Sequence, residues 1–448
     1  MRIPQKPPEW RKEFQKLKSP DETDRVFELT RKDPAARIYL HWDKLRRYPT
    51  PEGYSSTEWW IATKIRRTGT LKSIDLKDKI GNSFRFCVPD LVQAELHKID
   101  TGAGGALKVP EPITNAQTRD QYLIRSLMEE AITSSQLEGA ATTREVAKEM
   151  IRSGRNPRDK DEQMILNNYA TMRRIADLKD QPLSPAMVFE IHKLITEKTL
   201  DNPSAAGRFR NADEKCVVGD DVGAVFHEPP PSTELPDRLQ QMCDFANAKT
   251  PDFFVHPVVR AIILHFWLAY DHPFVDGNGR TARALFYWLM LREKYWLFEF
   301  ISISHILRKA PIKYGRSFLY TETDDNDLTY FIVAQTKVIR QAIDALHAYI
   351  DHKTKEVQEL ESHLRVLNLF NHRQVLLIRH ALKHPYQQYT IESHRSSHNI
   401  VYETARGDLM DLHERGVLQM HKSGRKMVFV PQPRLAETLR KLEKQTMP

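Results

Sequence analysis

The chain has 448 residues, 40% of them hydrophobic, with a formal net charge of +8, three cysteines and 18 histidines. That length predicts two or three domains with real cores, and the charge permits a nucleotide or nucleic-acid partner without demanding one. Cys87, Cys216 and Cys243 are scattered and the histidines unclustered, which excludes a disulfide framework or zinc motif, and the lack of an apolar run or signal-like start predicts a soluble, cytoplasmic protein that spans no membrane.

Residues 1–110 are expected to form an N-terminal helical segment. Trp42, Trp59 and Trp60 lie among basic residues. That mixture can contact nucleic acid, but aromatics packing one face of short helices is the better reading. A Gly- and Pro-rich stretch from Thr101 to Pro112 predicts a connection. From Arg119 to Glu138 the pattern is helical, with Leu123, Leu127, Ala131 and Ser134 facing inward and Glu129 and Glu130 outward. Gly139 is a natural stop. A carboxylate at Glu138 is disfavoured by the helix dipole, so a cationic partner is expected.

Asp161–Leu178 and Ser184–Leu200 read as core helices. Val217 and Val218 then suggest an extended edge, Gly219 to Gly223 a turn, and Pro229 to Pro231 an exit. An exposed edge of this kind can bind an extended peptide through main-chain hydrogen bonds.

Two apolar runs, Val258–Tyr270 and Ala284–Leu291, read as buried helices. Between them stands His272-Pro-Phe-Val-Asp276-Gly277-Asn278-Gly279-Arg280-Thr-Ala-Arg283. Gly277 and Gly279 permit backbone angles that let successive N–H groups converge on an anion at a helix N-terminus. Arg280 and Arg283 share a helical face and can reach further phosphate oxygens. Asp276 is a hard oxygen ligand suited to Mg2+, and His272 can take a proton near neutral pH. Phe274 is expected to anchor the loop. Together these groups suggest transfer of a phosphorus-bearing group to a hydroxyl.

The string resembles the signature of the Fic (Fido) family, His-x-Phe-x-Asp-Gly-Asn-Gly-Arg-x-x-Arg, at every specified position. The resemblance implies AMP transfer from ATP to a Ser, Thr or Tyr hydroxyl of a target protein. It makes His272 the general base and Asp276 the metal ligand. Gly277, Asn278 and Gly279 then cradle the α- and β-phosphates, Arg280 contacts phosphate and Arg283 the γ-phosphate. Ser134-x-x-x-Glu138-Gly139 is similar to the family's inhibitory motif, which implies that Glu138 pairs with Arg283 and keeps ATP in a non-productive pose. In some relatives the same glutamate helps remove AMP. Val217, Val218 and Gly219 resemble the flap that docks the target. Tyr314 matches a tyrosine of the adenine site, whereas Thr321 stands where an asparagine is expected. Fic-like features cover about residues 115–350.

Beyond about residue 356 the elements expected are a helix at Val366–Leu382, a short helix at Tyr389–His398, a helix at Ile400–Arg415, and strands at Val417–Met420 and Met427–Val430. Their order resembles a winged helix-turn-helix. Arg395, His398, Arg406, Lys422, Arg425 and Lys426 could face DNA, unless Asp408 pairs with Arg406. Dimerisation or target docking is an equal reading of the same domain.

The expected architecture is mainly α: residues 1–110, a Fic core over 111–355 with its inhibitory helix at about 119–139 and a short hairpin flap, and a winged-helix-like domain over 356–448. The expected function is a Mg2+- and ATP-dependent protein adenylyltransferase. The rivals are an AMP-removing hydrolase of the same fold and a DNA-binding regulator with a nucleotide-sensing core. Self-modification and a homodimer are both open, as is the event that relieves inhibition.

Overall fold

The structure is a computed structural model, and it describes residues 1–32, 38–104, 116–214, 216–219, 223–366, 369–423 and 426–446. It divides into two compact units. The first comprises Met1–Lys108 and Leu123–Asp344, the second Val109–Tyr122 and Ala345–Pro448. Among the described residues, no helix is long and apolar enough to cross a membrane.

The centre of the first unit is a pair of helices, Pro257–Asp271 and Asn278–Arg292. Both are buried around nearly their whole circumference, the first mostly through apolar side chains and the second through polar residues in its first turns and apolar ones after them. Phe266, Trp267, Phe286 and Trp288 are fully buried. Removing one such aromatic side chain from water stabilises the fold by about 1.5–3 kcal/mol. Helices Lys160–Leu178, Pro185–Ile195, Leu235–Ala246 and Pro311–Thr323 belong to the same unit, as does helix Ala116–Leu137 from Leu123 onward. Pro185–Ile195 ends earlier than the apolar pattern suggests. Asn167 Nδ2 donates to the carbonyls of Ile195 and Glu197, and Arg280 Nη1 also donates to that of Ile195. Side chains thus satisfy the carbonyls that another helical turn would have used.

The N-terminal tryptophans pack as expected. Trp42, Trp59 and Trp60 are buried with Val26, Leu29 and Leu45. This segment is not wholly helical, however. Strands β1 (Lys72–Lys77) and β2 (Ser83–Phe86) pair antiparallel, with Lys72 opposite Phe86 and Lys77 opposite Ser83. Ile74 and Leu76, and likewise Phe84 and Phe86, point inward at a period of two. A second hairpin pairs β3 (Val218–Gly219) with β4 (Val225–His227). At Gly219 a side chain is excluded, because a Cβ would lie 2.7 Å from the Ala224 carbonyl oxygen.

The second unit contains helices His372–Lys383, Ile391–His398 and Tyr402–Glu414. Its three-stranded sheet has the order β5 (Tyr389–Thr390), β7 (Lys426–Pro431), β6 (Leu418–Ser423). Ile378, Leu409, Leu412, Val417 and Phe429 form its core. Asp408 does not pair with Arg406. It is buried and takes hydrogen bonds from Arg373 and Asn371, with His394 Nε2 3.1 Å away, while Arg406 lies 3.7 Å from Glu403. Asp408 falls on the core face beside Leu409 and Leu412, so it meets inward partners, whereas Arg406 is on the exposed face.

Candidate functional site

The apolar helix Pro257–Asp271 stops at His272, which adopts a left-handed conformation, φ 45°, ψ 56°. Such a conformation costs a non-glycine residue roughly 1–2 kcal/mol and needs external support. Arg210 supplies it. Its Nε donates to the His272 carbonyl at 2.9 Å, its backbone N–H to the Pro273 carbonyl at 2.9 Å, and its Nη2 to the Pro230 carbonyl. The His272 ring has Nδ1 3.2 Å from the Ala269 carbonyl. A carbonyl can only accept, so Nδ1 carries the proton and Nε2 keeps its lone pair. Burial lowers the His272 pKa to about 4, so the ring is neutral at physiological pH.

Behind the next turn stands His192. It stacks on Phe274 with ring centroids 3.7 Å apart. Its Nδ1 accepts from the Gly207 N–H at 3.0 Å, which leaves Nε2 to donate to the Asp276 carbonyl at 2.9 Å. Burial lowers its pKa to about 4 as well. Gly277 has φ +83°, and a Cβ there would lie 2.8 Å from Thr196 Cγ2. Both the angle and the space require glycine. The Asn278 amide accepts from the Phe274 N–H at 2.9 Å and donates to the Phe274 carbonyl at 2.8 Å. Its side chain therefore closes the loop, and what it can offer a phosphate is its backbone.

The Asp276 side chain is 48% exposed. Its Oδ1 accepts from the Gly277 N–H at 2.6 Å and its Oδ2 lies 3.3 Å from Arg280 Nη2. Arg280 is buried, and its Nε has no hydrogen-bond partner. A buried guanidinium with an idle N–H beside a helix N-terminus is suited to an oxyanion.

Arg283 is 2% exposed, and two of its three nitrogens are held by the Ala116–Leu137 helix and the residue that follows it. Its Nε donates to Ser134 Oγ at 2.9 Å, and its Nη2 to the Ser134 carbonyl at 3.0 Å and to Glu138 Oε1 at 2.8 Å. Glu138 also lies against the glycine turn, since a Cβ on Gly279 would be 2.3 Å from its Oε1. The carboxylate thus occupies the first turn of Asn278–Arg292, where free N–H groups favour a negative charge. Gly139, with φ +98°, follows directly after it.

The Tyr314 hydroxyl is 2.8 Å from His265 Nε2. Burial raises the phenol pKa to about 12. Burial, and then the charge of Arg283, lower that of His265 to about 3. Thr321 donates to the Ser317 carbonyl of its own helix. Val217 is exposed and Val218 half-exposed on the hairpin beside the loop, where Cys216 Sγ lies 3.7 Å from the Phe274 carbonyl oxygen. Residues 215 and 220–222 of that hairpin lie outside the described residues. At its base His227 has Nδ1 2.7 Å from Glu322 and Nε2 2.7 Å from the Tyr270 carbonyl. Burial opposes the charged ring, but these two acceptors outweigh it and raise the His227 pKa.

Glu129 and Glu130 are not outward. Both are buried, at 9% and 2% exposure. Glu129 meets Arg144 and His305, and Glu130 accepts from Tyr287, Ser302 and Ser304. An apolar-periodicity argument treats every glutamate as solvent-facing and cannot see such partners. His192 and Arg210 were equally invisible, because each acts on a segment more than 60 residues away. In the second unit, Arg395 pairs with Glu392 at 2.6 Å and His398 is half-exposed beside His394. The side chains of Lys422, Arg425 and Lys426 lie outside the described residues.

Residues 182–290 match the Fic/DOC family model. The chain is 32% identical over 114 residues to a protein adenylyltransferase Fic of Nematostella vectensis, covering 25% of this chain and 24% of that protein. It is 33% identical over 108 residues to a protein of the same name from Aedes aegypti, covering 24% and 19%. The chain therefore spans about a quarter or less of the curated relatives it matches. A Fic family protein from Desulfovibrio desulfuricans G20 superposes with a TM-score of 0.51 at 18% identity, covering 76% of this chain and 96% of that one. At that identity the likeness is one of fold.

Proposed function

We propose that this chain, whose residues 182–290 form a Fic/DOC domain, is an ATP-dependent protein adenylyltransferase held inactive by Glu138. The observation that carries the reading is the position of the Glu138 carboxylate. It sits on Gly279 and takes a hydrogen bond from Arg283, at the place where the loop is built to receive an anion. While it is there, Nε and Nη2 of Arg283 are taken by Ser134 and Glu138, and the carboxylate itself stands where a γ-phosphate would have to meet the guanidinium.

With Glu138 withdrawn, a target Ser, Thr or Tyr hydroxyl attacks the α-phosphorus in line. The new bond joins the hydroxyl oxygen to phosphorus, and the bond from the α-phosphorus to the bridging oxygen breaks, releasing pyrophosphate. His272 Nε2 takes the hydroxyl proton. Backbone N–H groups of residues 277–279, with Arg280 and Arg283, hold the negative charge that develops on the leaving phosphates. Among the described residues no group of three His, Cys, Asp or Glu could hold a metal by itself. The fit to Mg2+ is through Asp276, a half-exposed carboxylate beside the phosphate turn, since Mg2+ usually takes one or two carboxylates and completes its shell with phosphate oxygens and water. When bound, the ion would supply charge neutralisation to the phosphates. An apolar, neutral edge at Val217 and Val218 suits an extended segment of the target.

One observation favours a second activity. Only Oε1 of Glu138 is engaged by Arg283, so Oε2 is available to orient a water for removal of AMP from a modified target. One experiment separates the readings. Wild type, Glu138→Gly and Glu138→Gly/His272→Ala are supplied with α- or γ-labelled ATP and candidate targets. The transferase reading expects protein-bound label from the α-position alone, strongest in Glu138→Gly and absent in the double variant. No transfer by any variant, together with release of AMP from modified protein by wild type, would replace it with the hydrolase.

A further inference from the structure

Three residues spaced by four on the Ala116–Leu137 helix and its end face three spaced by four on the Asn278–Arg292 helix. Glu138 meets Gly279 and Arg283, Ser134 meets Arg283, and Glu130 meets Tyr287. A step of four keeps side chains on one face of each helix, so these contacts form an antiparallel ladder. Its first rungs lie at the phosphate turn. The last lies eight residues from Glu138, about 12 Å away along the helix.

That last rung is the most closely built. Glu130 Oε2 accepts from Tyr287 Oη at 2.9 Å, Ser302 Oγ at 2.8 Å and the Ser304 N–H at 3.1 Å, and Oε1 accepts from Ser304 Oγ at 2.5 Å. No lysine, arginine or histidine pairs with it among the described residues. An ionised carboxylate is acceptor-only, and four donors satisfy it without a cation. Ser302 is also the N-cap of the Ile303–Lys309 helix, accepting from the His305 N–H at 3.2 Å. Glu130 therefore ties the Glu138-bearing helix both to the catalytic helix and to the start of another helix remote from the nucleotide.

We infer that Glu130 is a positioning residue for inhibition: it latches the helix that carries Glu138, and displacement of the Ser302–Ser304 helix start releases it. The inference rests on the reading of Glu138 as inhibitor. A signal acting at Ser302 would free Arg283 without touching the ATP site. The latch also explains why a helix contributing only one carboxylate to the site carries a buried glutamate two turns earlier.

The test compares Ser302→Asp with Ser302→Asn. Both residues cap a helix well, so the fold of the Ile303–Lys309 turn is kept. Aspartate sets a second negative charge against Glu130, whereas asparagine keeps a donor there. Glu130→Leu is the third variant, because it removes every acceptor from the latch, whereas a glutamine could turn its oxygen to the Ser304 N–H and donate its amide to Ser304 Oγ. Transfer of α-label is expected to rise about tenfold in Ser302→Asp and Glu130→Leu and to change less than about twofold in Ser302→Asn. In a Glu138→Gly background none of the three should add to the rate. Amide hydrogen exchange over residues 123–137 should quicken in the same two variants, which reads the latch even if no transfer is seen. Equal stimulation by Asp and Asn, further stimulation without Glu138, or unchanged exchange would each overturn the latch. A silent Glu138→Gly protein with quickened exchange in Glu130→Leu would keep the latch and reject the transferase.

Discussion

Glu138 and Arg283 are 145 residues apart in the chain and joined by a 2.8 Å hydrogen bond, but their burial is unequal. The Arg283 side chain is 2% exposed and that of Glu138 29%. The carboxylate can return to water if the pair opens, whereas the guanidinium cannot. Whatever opens the pair must therefore leave a buried positive charge in need of an anion, and a nucleotide γ-phosphate is the right replacement.

Glu138→Gly should accordingly be less stable than wild type when free of nucleotide, by about 1–3 kcal/mol, since the exposure of Glu138 discounts the cost of a fully buried unpaired charge. MgATP should restore most of that loss, and should stabilise the variant more than it stabilises wild type. Urea unfolding of both proteins with and without MgATP measures it. Equal stabilisation of the two by nucleotide would show that Glu138 and phosphate do not compete for Arg283.

The pH dependence of transfer should lack the limb that an ordinary histidine gives near neutrality. His272 must be unprotonated to accept the hydroxyl proton, and burial holds its pKa at about 4. Activity is then present above that value and lost as pH falls through it. Removing Glu138, whose charge raises the His272 pKa, moves the limb lower still. In Glu138→Gly, kcat/KM should be level from about pH 8 to about pH 5.5, because it reports the free enzyme. A half-maximum near the usual histidine value of about 6.5 would place His272 in a wetter site than this one.

The loop is legible because its chemistry is local: turn, base, carboxylate and two arginines fall within twelve residues, and the flanking helices announce themselves by long apolar runs, interrupted in the first by Arg260 and His265 alone. The partner of Glu138 was legible only through family resemblance. The β1–β2 hairpin carries a readable signal, Ile74 and Leu76 alternating with polar residues ahead of an Asp78–Asn82 turn, but six residues of alternation are a faint pattern among helices. Glu130, His192 and Arg210 had no readable signal. Each is polar, a residue type that pattern reasoning places in solvent, and each is buried by a segment distant in sequence.

Asp276→Asn should separate metal use from folding. The carboxylate is half exposed, and an asparagine oxygen can still accept from the Gly277 N–H, so stability should fall by no more than about 1–2 kcal/mol, the cost of losing the charged partner of buried Arg280. An amide oxygen carries no charge and is a poorer Mg2+ ligand, so the Mg2+ concentration for half-maximal transfer in a Glu138→Gly background should rise at least about tenfold. Titration of transfer against Mg2+ at fixed ATP reads this directly. An unchanged midpoint would mean that Asp276 holds no metal.

Gly277→Ala should weaken nucleotide binding while leaving most of the fold intact. An alanine at φ +83° is strained, and its Cβ would sit 2.8 Å from Thr196 Cγ2, against a side chain that cannot swing away because Thr196 Oγ1 donates to the His192 carbonyl at 2.7 Å. The turn must shift, at a cost of about 1–3 kcal/mol, and its N–H groups lose their common focus. Calorimetric titration with MgATP should show at least about a tenfold loss of affinity in Glu138→Gly/Gly277→Ala relative to Glu138→Gly. Retained affinity would mean that the backbone of residues 277–279 is not the phosphate cradle.

Acid should weaken the fold through its buried histidines. His41, His192 and His265 are each 1% exposed or less, and burial lowers their pKa values to about 4, about 4 and about 3. Their folded pKa values lie below the unfolded value of about 6.5, so between these limits the unfolded chain binds more protons and stability rises with pH. Descending through the window, each such histidine removes up to about 1.4 kcal/mol per pH unit. Unfolding free energies from urea titrations at pH 7, 6 and 5 should therefore fall progressively, and His265→Gln should fall less steeply by about one proton, because glutamine keeps a partner for Tyr314 Oη but cannot titrate. Stability that holds level from pH 7 to pH 5 would mean that these rings are charged or hydrated in the folded protein, and the tautomer assigned to His192 behind the catalytic turn would fall with it.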